Sequence, residues 1–102
     1  MEKIMVIATL KLNDENLLDD WRIISAKITE ELVDEDGFLS RDVIRGDDGV
    51  ISCILKWESK EKQEKFMNAL IARTDEESLA MMAEFGRIVD AKNMTREYFK
   101  VL

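Results

Sequence analysis

The chain contains no histidine and no proline, a single cysteine and four glycines in 102 residues. Each shortage removes a class of chemistry. Without histidine, no Ser-His-Asp or Cys-His relay can be assembled. A transition-metal site also loses its commonest nitrogen ligand. One cysteine permits no internal disulfide. Cys53 follows Ile51 and Ser52 and precedes Ile54 and Leu55, so it reads as a small buried hydrophobe. A reactive thiolate needs a cationic neighbour, and Lys56 falls on the other face of a strand. The glycines are scattered, and none builds a phosphate-cradling loop ahead of a helix. The lack of proline and of low-complexity tracts argues against a disordered tail.

Basic charge is also scarce. Fifteen Lys and Arg face 22 Asp and Glu, a formal charge of −7. No Lys/Arg cluster is available to displace counterions from phosphates, so nucleic acid is not expected as a partner. The acidic excess reads as solubility, and the mixed run from Ser59 to Lys65 as a solvated helix face. Asp34-Glu35-Asp36 and Asp47-Asp48 lack the spacing of a calcium loop, so no metal is expected. The apolar run from Ile4 to Leu10 is too short to span a membrane. It has no small-residue cleavage site and runs into Lys11 and Asn13-Asp14-Glu15-Asn16, unlike a signal peptide. The expectation is a cytoplasmic protein without membrane association, with residues 1–102 forming one domain. A domain of this size buries roughly 60–70% of its unfolded surface. Packing against a second copy would add to that.

Met1 to Leu12 reads as a strand, apolar on both faces as in a sheet interior. Asn13 or Asp14 is placed to cap the helix that follows. Leu17, Trp21, Ile24, Ile28 and Leu32 then recur on one helical stripe, ending near Asp34–Asp36 with Gly37 behind. Phe38 to Arg45 mixes apolar and polar residues, as an edge strand does. Gly46-Asp47-Asp48-Gly49 is a turn, and Val50 to Trp57 is a second interior strand. Ser59 caps a helix whose buried face is Phe66, Met67, Leu70 and Ile71. Thr74 and Glu77 have the spacing of a capping box, and Leu79, Met82 and Phe85 supply the next buried face, with Gly86 ending or bending that helix. Asp90 to Asn93 connects to Met94–Leu102, which alternates as a half-exposed strand.

The order βαββ(αα)β, with right-handed crossovers, predicts an α+β, ferredoxin-like fold. It has a four-stranded antiparallel sheet with the first and third strands central and helices on one face. The other face needs a cover, and a two-fold related copy is the simplest one.

The residues that carry these elements resemble a known group. Ile4–Leu10, Gly37-Phe38-Leu39, Lys56-Trp57-Glu58-Ser59, Phe66 and Asp90 to Val101 look like the antibiotic-biosynthesis-monooxygenase-like proteins of the dimeric α/β-barrel superfamily. The resemblance implies a homodimeric α/β barrel with a ligand pocket between sheet and helices in each protomer. It also implies oxidation of a small aromatic or enolisable molecule without metal or flavin. Haem-degrading and isomerising members of that group rely on a histidine, which this chain does not have.

An apolar pocket with a few polar groups is then the site to look for. Its candidates are Trp57, Tyr98, Trp21, Phe66, Asn68, Met82, Phe85 and Asn93, with Met81 beside them. Tyr98, Asn68, Asn93, Arg41 or Arg96 can hold a substrate anion by hydrogen bond or charge. Trp21 and Trp57 fit a core as readily as a pocket, Met81 and Met82 fit as gap fillers, and Arg41 and Arg96 fit ion pairs. The alternative to an enzyme is a module on the same fold that binds a small molecule or mediates oligomerisation without turnover.

Overall fold

The computed structural model describes residues 2–102. Along them run β1 (Ile4–Leu10), a 3-10 turn (Glu15–Leu17), α1 (Leu18–Val33), β2 (Phe38–Arg45), β3 (Ile51–Trp57), α2 (Lys60–Ile71), α3 (Glu76–Ile88), a second 3-10 turn (Ala91–Asn93) and β4 (Thr95–Lys100). The strands form a four-stranded sheet in the order β2-β3-β1-β4, and every pairing is antiparallel. The doubly apolar strands β1 and β3 are central and the mixed β2 and β4 are edges, as the sequence pattern requires. The first strand matches the apolar run Ile4–Leu10 and is shorter than the expected Met1–Leu12. Leu12 leaves the sheet for an isolated bridge to Val89, and Met1 lies outside the described residues.

Residues paired directly across two strands share a face. Ile4, Val6, Ala8 and Leu10 lie opposite Trp57, Leu55, Cys53 and Ile51, and most of this set is buried. This is the helix side. Two apolar clusters fill it. One joins Leu10, Ile51, Cys53, Trp21, Ile24, Ile88 and Val89; the other joins Ile4, Val6, Leu32 and Trp57. Met5, Ile7 and Thr9 lie opposite Lys56, Ile54 and Ser52 on the other side. Among the described residues no helix crosses that open side. Leu39, Ile44 and Phe99 stay 40%, 55% and 44% exposed. The pairing of β2 slips between Phe38 and Ser40, a bulge that bends this edge.

Several helix boundaries differ from their sequence signals. Asp14 does cap, accepting from the Asn16 N–H, but it starts the 3-10 turn that leads into α1. Asn13 acts elsewhere: its Nδ2 donates to the carbonyls of Gly86 (3.3 Å), Arg87 (2.9 Å) and Val89 (3.3 Å), closing the end of α3. Asp75, not Thr74, caps α3, its carboxylate accepting from the Ser78 N–H at 3.1 Å. That bond holds the Asp75 carboxyl below the usual carboxylate range. A depressed folded-state pKa contributes stability that is present above the unfolded pKa and is lost as pH falls through the folded one. Asp75→Asn is therefore expected to lower the melting temperature at pH 7 and to have a much smaller effect at pH 2, read by thermal melts at both pH values.

Gly86 neither ends nor bends α3, which runs on to Ile88. A Cβ at Gly86 meets nothing within 4 Å, whereas at Gly37, where φ is +86°, it would collide with the Lys62 side chain. Gly86→Ala is expected to stabilise the fold by about 0.5–1 kcal/mol through the unfolded chain's lost freedom. Gly37→Ala is expected to destabilise it. Urea melts of the two variants check both signs.

Candidate functional site

The helices divide the sheet between them. α1 lies over the β2–β3 half, where Arg41 on β2 donates from Nη1 to the Ser25 carbonyl (3.0 Å), Ser25 Oγ (2.9 Å) and Thr29 Oγ1 (2.8 Å). α3 runs antiparallel beside α1. Arg87 near its end meets Asp20 at 2.9 Å, and Arg73 ahead of its start meets Glu31 at 3.2 Å. Met81, Phe85 and Ile88 turn α3 inward onto the first apolar cluster. Leu79 and Met82 project from the flank of α3 that faces away from α1 and stay 50% and 45% exposed. The sheet order puts β4 on that same side.

The register fixes what β4 presents there. Lys100, Tyr98 and Arg96 pair with Ile4, Val6 and Ala8, so they share the helix side. All three are exposed, which means the helices leave this part of the sheet uncovered. We call the exposed strip of Arg96, Tyr98 and Lys100 along β4, beside Ile4, Val6 and Ala8 of β1, the trough. Lys100 lies 3.5 Å from Glu2. Arg96 enters no ion pair among the described residues, so its charge is free to meet an anion from solution.

The eight candidate residues do not gather in one cavity. Trp57 is 1% exposed, with the rings of Phe38 and Phe66 at centroid distances of 5.6 Å and 5.5 Å. Trp21 is 3% exposed and packs against Phe85 at 6.3 Å; it also edges a shallow cleft of about 360 Å³ between α1 and β2. The four candidate aromatics, Trp21, Trp57, Phe66 and Phe85, belong to or pack against the two apolar clusters. Asn68 is exposed on α2. Asn93 donates to Asp90 at 2.6 Å in the connection to β4. Tyr98 is exposed on the helix side of β4, and Met82 is exposed on the flank of α3.

Two features escaped the sequence pattern. Leu79 and Met82 have core spacing yet lie exposed, because α3 turns a different stripe inward. Among the described residues Arg41 forms no ion pair; its guanidinium is taken up by α1 and approaches Cys53 Sγ at 3.8 Å. The cysteine therefore does have a cationic neighbour, although its own flanks carry none. Burial pushes its thiol pKa up all the same, against the opposing pull of Arg41. Ser25 and Thr29, polar residues one turn apart on the sheet-facing side of α1, were the available signal. Among the described residues no cluster of three or more His, Cys, Asp or Glu is placed to hold a metal ion, and no helix is long and apolar enough to cross a membrane.

No protein-family model matches the chain, and no curated protein matches it either. Solved structures do. A conserved protein from Methanosarcina mazei Go1 superposes with a TM-score of 0.77 at 12% identity, over 100% of this chain and 95% of the other. A protein from Caulobacter crescentus CB15, provisionally named an antibiotic biosynthesis monooxygenase, gives 0.77 at 17% identity over 99% and 91%. The chain has the antibiotic-biosynthesis-monooxygenase-like fold. SnoaB, a cofactor-independent oxygenase from Streptomyces nogalater, shares that fold with a TM-score of 0.73 at 12% identity over 100% and 95%. At these identities the likeness is one of fold.

Proposed function

We propose that the protein is a cytoplasmic, homodimeric, monooxygenase-like oxidoreductase. In this reading it binds a small phenolic or enolisable molecule as its anion in the trough above β4. The observation that carries the proposal is the unpaired Arg96 beside Tyr98 on the helix side of an uncovered edge strand. A fixed cation lowers the energy of a phenolate or enolate, and a tyrosine hydroxyl donates a hydrogen bond to the same oxygen. The anion is electron-rich enough to react with dioxygen itself. One oxygen atom then enters the product as a carbonyl and the other leaves as water, the substrate supplying all four electrons. SnoaB, a cofactor-independent oxygenase on this fold, supports this chemistry without metal or flavin.

The dimer in this proposal forms across the open side of the sheet. Apolar Met5, Ile7 and Ile54 lie at its centre in the two middle strands, with exposed Leu39, Ile44 and Phe99 around them. Lys56, Asp42 and Glu97 supply charges of both signs to the same side, so a two-fold related copy can bring each Lys56 to a carboxylate of its partner.

Binding at the trough is tested by thermal shift with a panel of phenols, quinols and 1,3-diketones. A ligand at 100 times its Kd stabilises by about 2.7 kcal/mol. Arg96→Ala removes a charge-assisted hydrogen bond of about 1.5–3 kcal/mol and is expected to weaken binding by roughly tenfold or more, with the unliganded melt unchanged. Equal binding by the variant contradicts the placement. A second reading, a small-molecule-binding module without turnover, is favoured by the openness of the trough: exposed Arg96, Tyr98 and Lys100 leave water in contact with any ligand. Ligands that bind at Arg96 without consuming oxygen select it.

A further inference from the structure

We propose that the groove between α1 and α3, on the solvent side of these helices, docks a basic amphipathic helix of a partner protein. The groove is distinct from the trough above β4 and encloses about 1040 Å³. The ion pairs Asp20–Arg87 and Glu31–Arg73 tie the two helices together near its ends. Its base is apolar: Ile24 and Ile88 are buried, and Ile23 stands 59% exposed above them. Ile23 is the apolar side chain that this charged helix face offers to a visitor.

The walls are acidic. Asp20, Glu30, Glu31, Asp75, Glu77 and Glu84 line the groove against Lys27, Arg73 and Arg87. The two arginines are already held by Asp20, Glu84 and Glu31. Charge left for a visitor is therefore Glu30 and Glu77 against Lys27 alone, Asp75 being engaged in capping α3.

This combination selects the occupant. A helix laid between two others inserts a ridge of apolar residues spaced three and four apart, and Ile23 with Met81 meets such a ridge. Lysines or arginines flanking it reach Glu30 and Glu77. α3 has 13 residues, a length of roughly 20 Å at 1.5 Å per residue, enough to seat three to four turns. A second copy meeting this groove with its own would set carboxylate against carboxylate. A small polyamine would use the carboxylates and leave Ile23 without a role.

The test uses a fluorescently labelled helical peptide of 13 residues, the length of α3, with a leucine ridge and lysine flanks. Fluorescence anisotropy at low salt follows its binding to the full chain. A counterpart with glutamate in place of lysine and free spermine are the competitors. The lysine peptide is expected to bind saturably, and its binding to weaken by at least about tenfold in Ile23→Asp and in the double variant Glu30→Lys, Glu77→Lys. Ile44→Asp, on the open side of the sheet, is expected to leave it unchanged. Protection from hydrogen exchange should appear in α1 and α3. All these side chains are exposed, and circular dichroism confirms that the variants fold. Absence of binding, equal binding of the glutamate peptide, or binding by Ile23→Asp at wild-type strength overturns the proposal. So does full displacement by spermine, which assigns the groove to small cations.

Discussion

Trp57→Ala is expected to destabilise the protein by about 3–5 kcal/mol, the usual loss for a buried aromatic truncated to alanine. The indole is 1% exposed. It touches a different element on each side, Phe38 at the start of β2 and Phe66 on α2, and it shares its cluster with Leu32 at the end of α1 and Ile4 on β1. Removing it opens a cavity that no single neighbour can fill, because those neighbours are fixed to four separate elements. For a domain of this size each kcal/mol moves the melting temperature by about 4–8 °C, so the variant should melt more than ten degrees lower. A urea titration gives the difference directly. If Trp57 instead served mainly as a pocket wall, the variant would keep its stability and lose only ligand binding.

Ile54→Asp is expected to break the proposed homodimer. Ile54 lies opposite both Ile7 on β1 and Asp42 on β2, at the centre of the open side. In the dimer it would be desolvated on both copies, so the substitution buries a carboxylate on each, directly opposite the like charge of Asp42. An unpaired buried charge costs about 3–5 kcal/mol, more than a hundredfold in dimer dissociation constant. In the monomer the position is only half-buried, so the fold should survive. Sedimentation at micromolar concentration is expected to show a dimer of 11.8 kDa chains for the natural sequence and a monomer for the variant. A monomeric natural protein contradicts the dimer.

Why the sheet was readable from the sequence and the site was not follows from where each signal resides. Ile4–Leu10 is apolar on both faces and Ile51–Trp57 is broken only by Ser52 and Lys56, in contrast to the mixed β2 and β4, so their central place was legible. Gly37 and the Gly46–Gly49 turn punctuate β2 unambiguously. The caps were less legible, because Thr74 and Asp75 are both competent acceptors and only backbone geometry chooses the second. The site was least legible. Trp21, Trp57, Phe66 and Phe85 are attractive pocket residues by type, but their bulk is what the two apolar clusters need. Leu79 and Met82 keep helical spacing with Phe85, and a turn of α3 about its axis decides which of them is inside. The seat of Arg41 against Ser25 and Thr29 depends on how α1 crosses β2, a distance of 16 residues along the chain between Ser25 and Arg41. No local pattern encodes that crossing.

The most direct test is oxygen consumption. Purified protein, free of added metal or flavin, is mixed with each ligand that raises its melting temperature, and dissolved oxygen is followed with an electrode alongside quinone formation. The account predicts uptake above the buffer rate for at least one phenolic or enolisable ligand, one oxygen consumed per product formed, and a rate lowered by roughly tenfold or more in Arg96→Ala, the loss of one charge-assisted contact to the reacting anion. Uptake no faster than buffer for every bound ligand, or a rate that Arg96→Ala leaves unchanged, contradicts it.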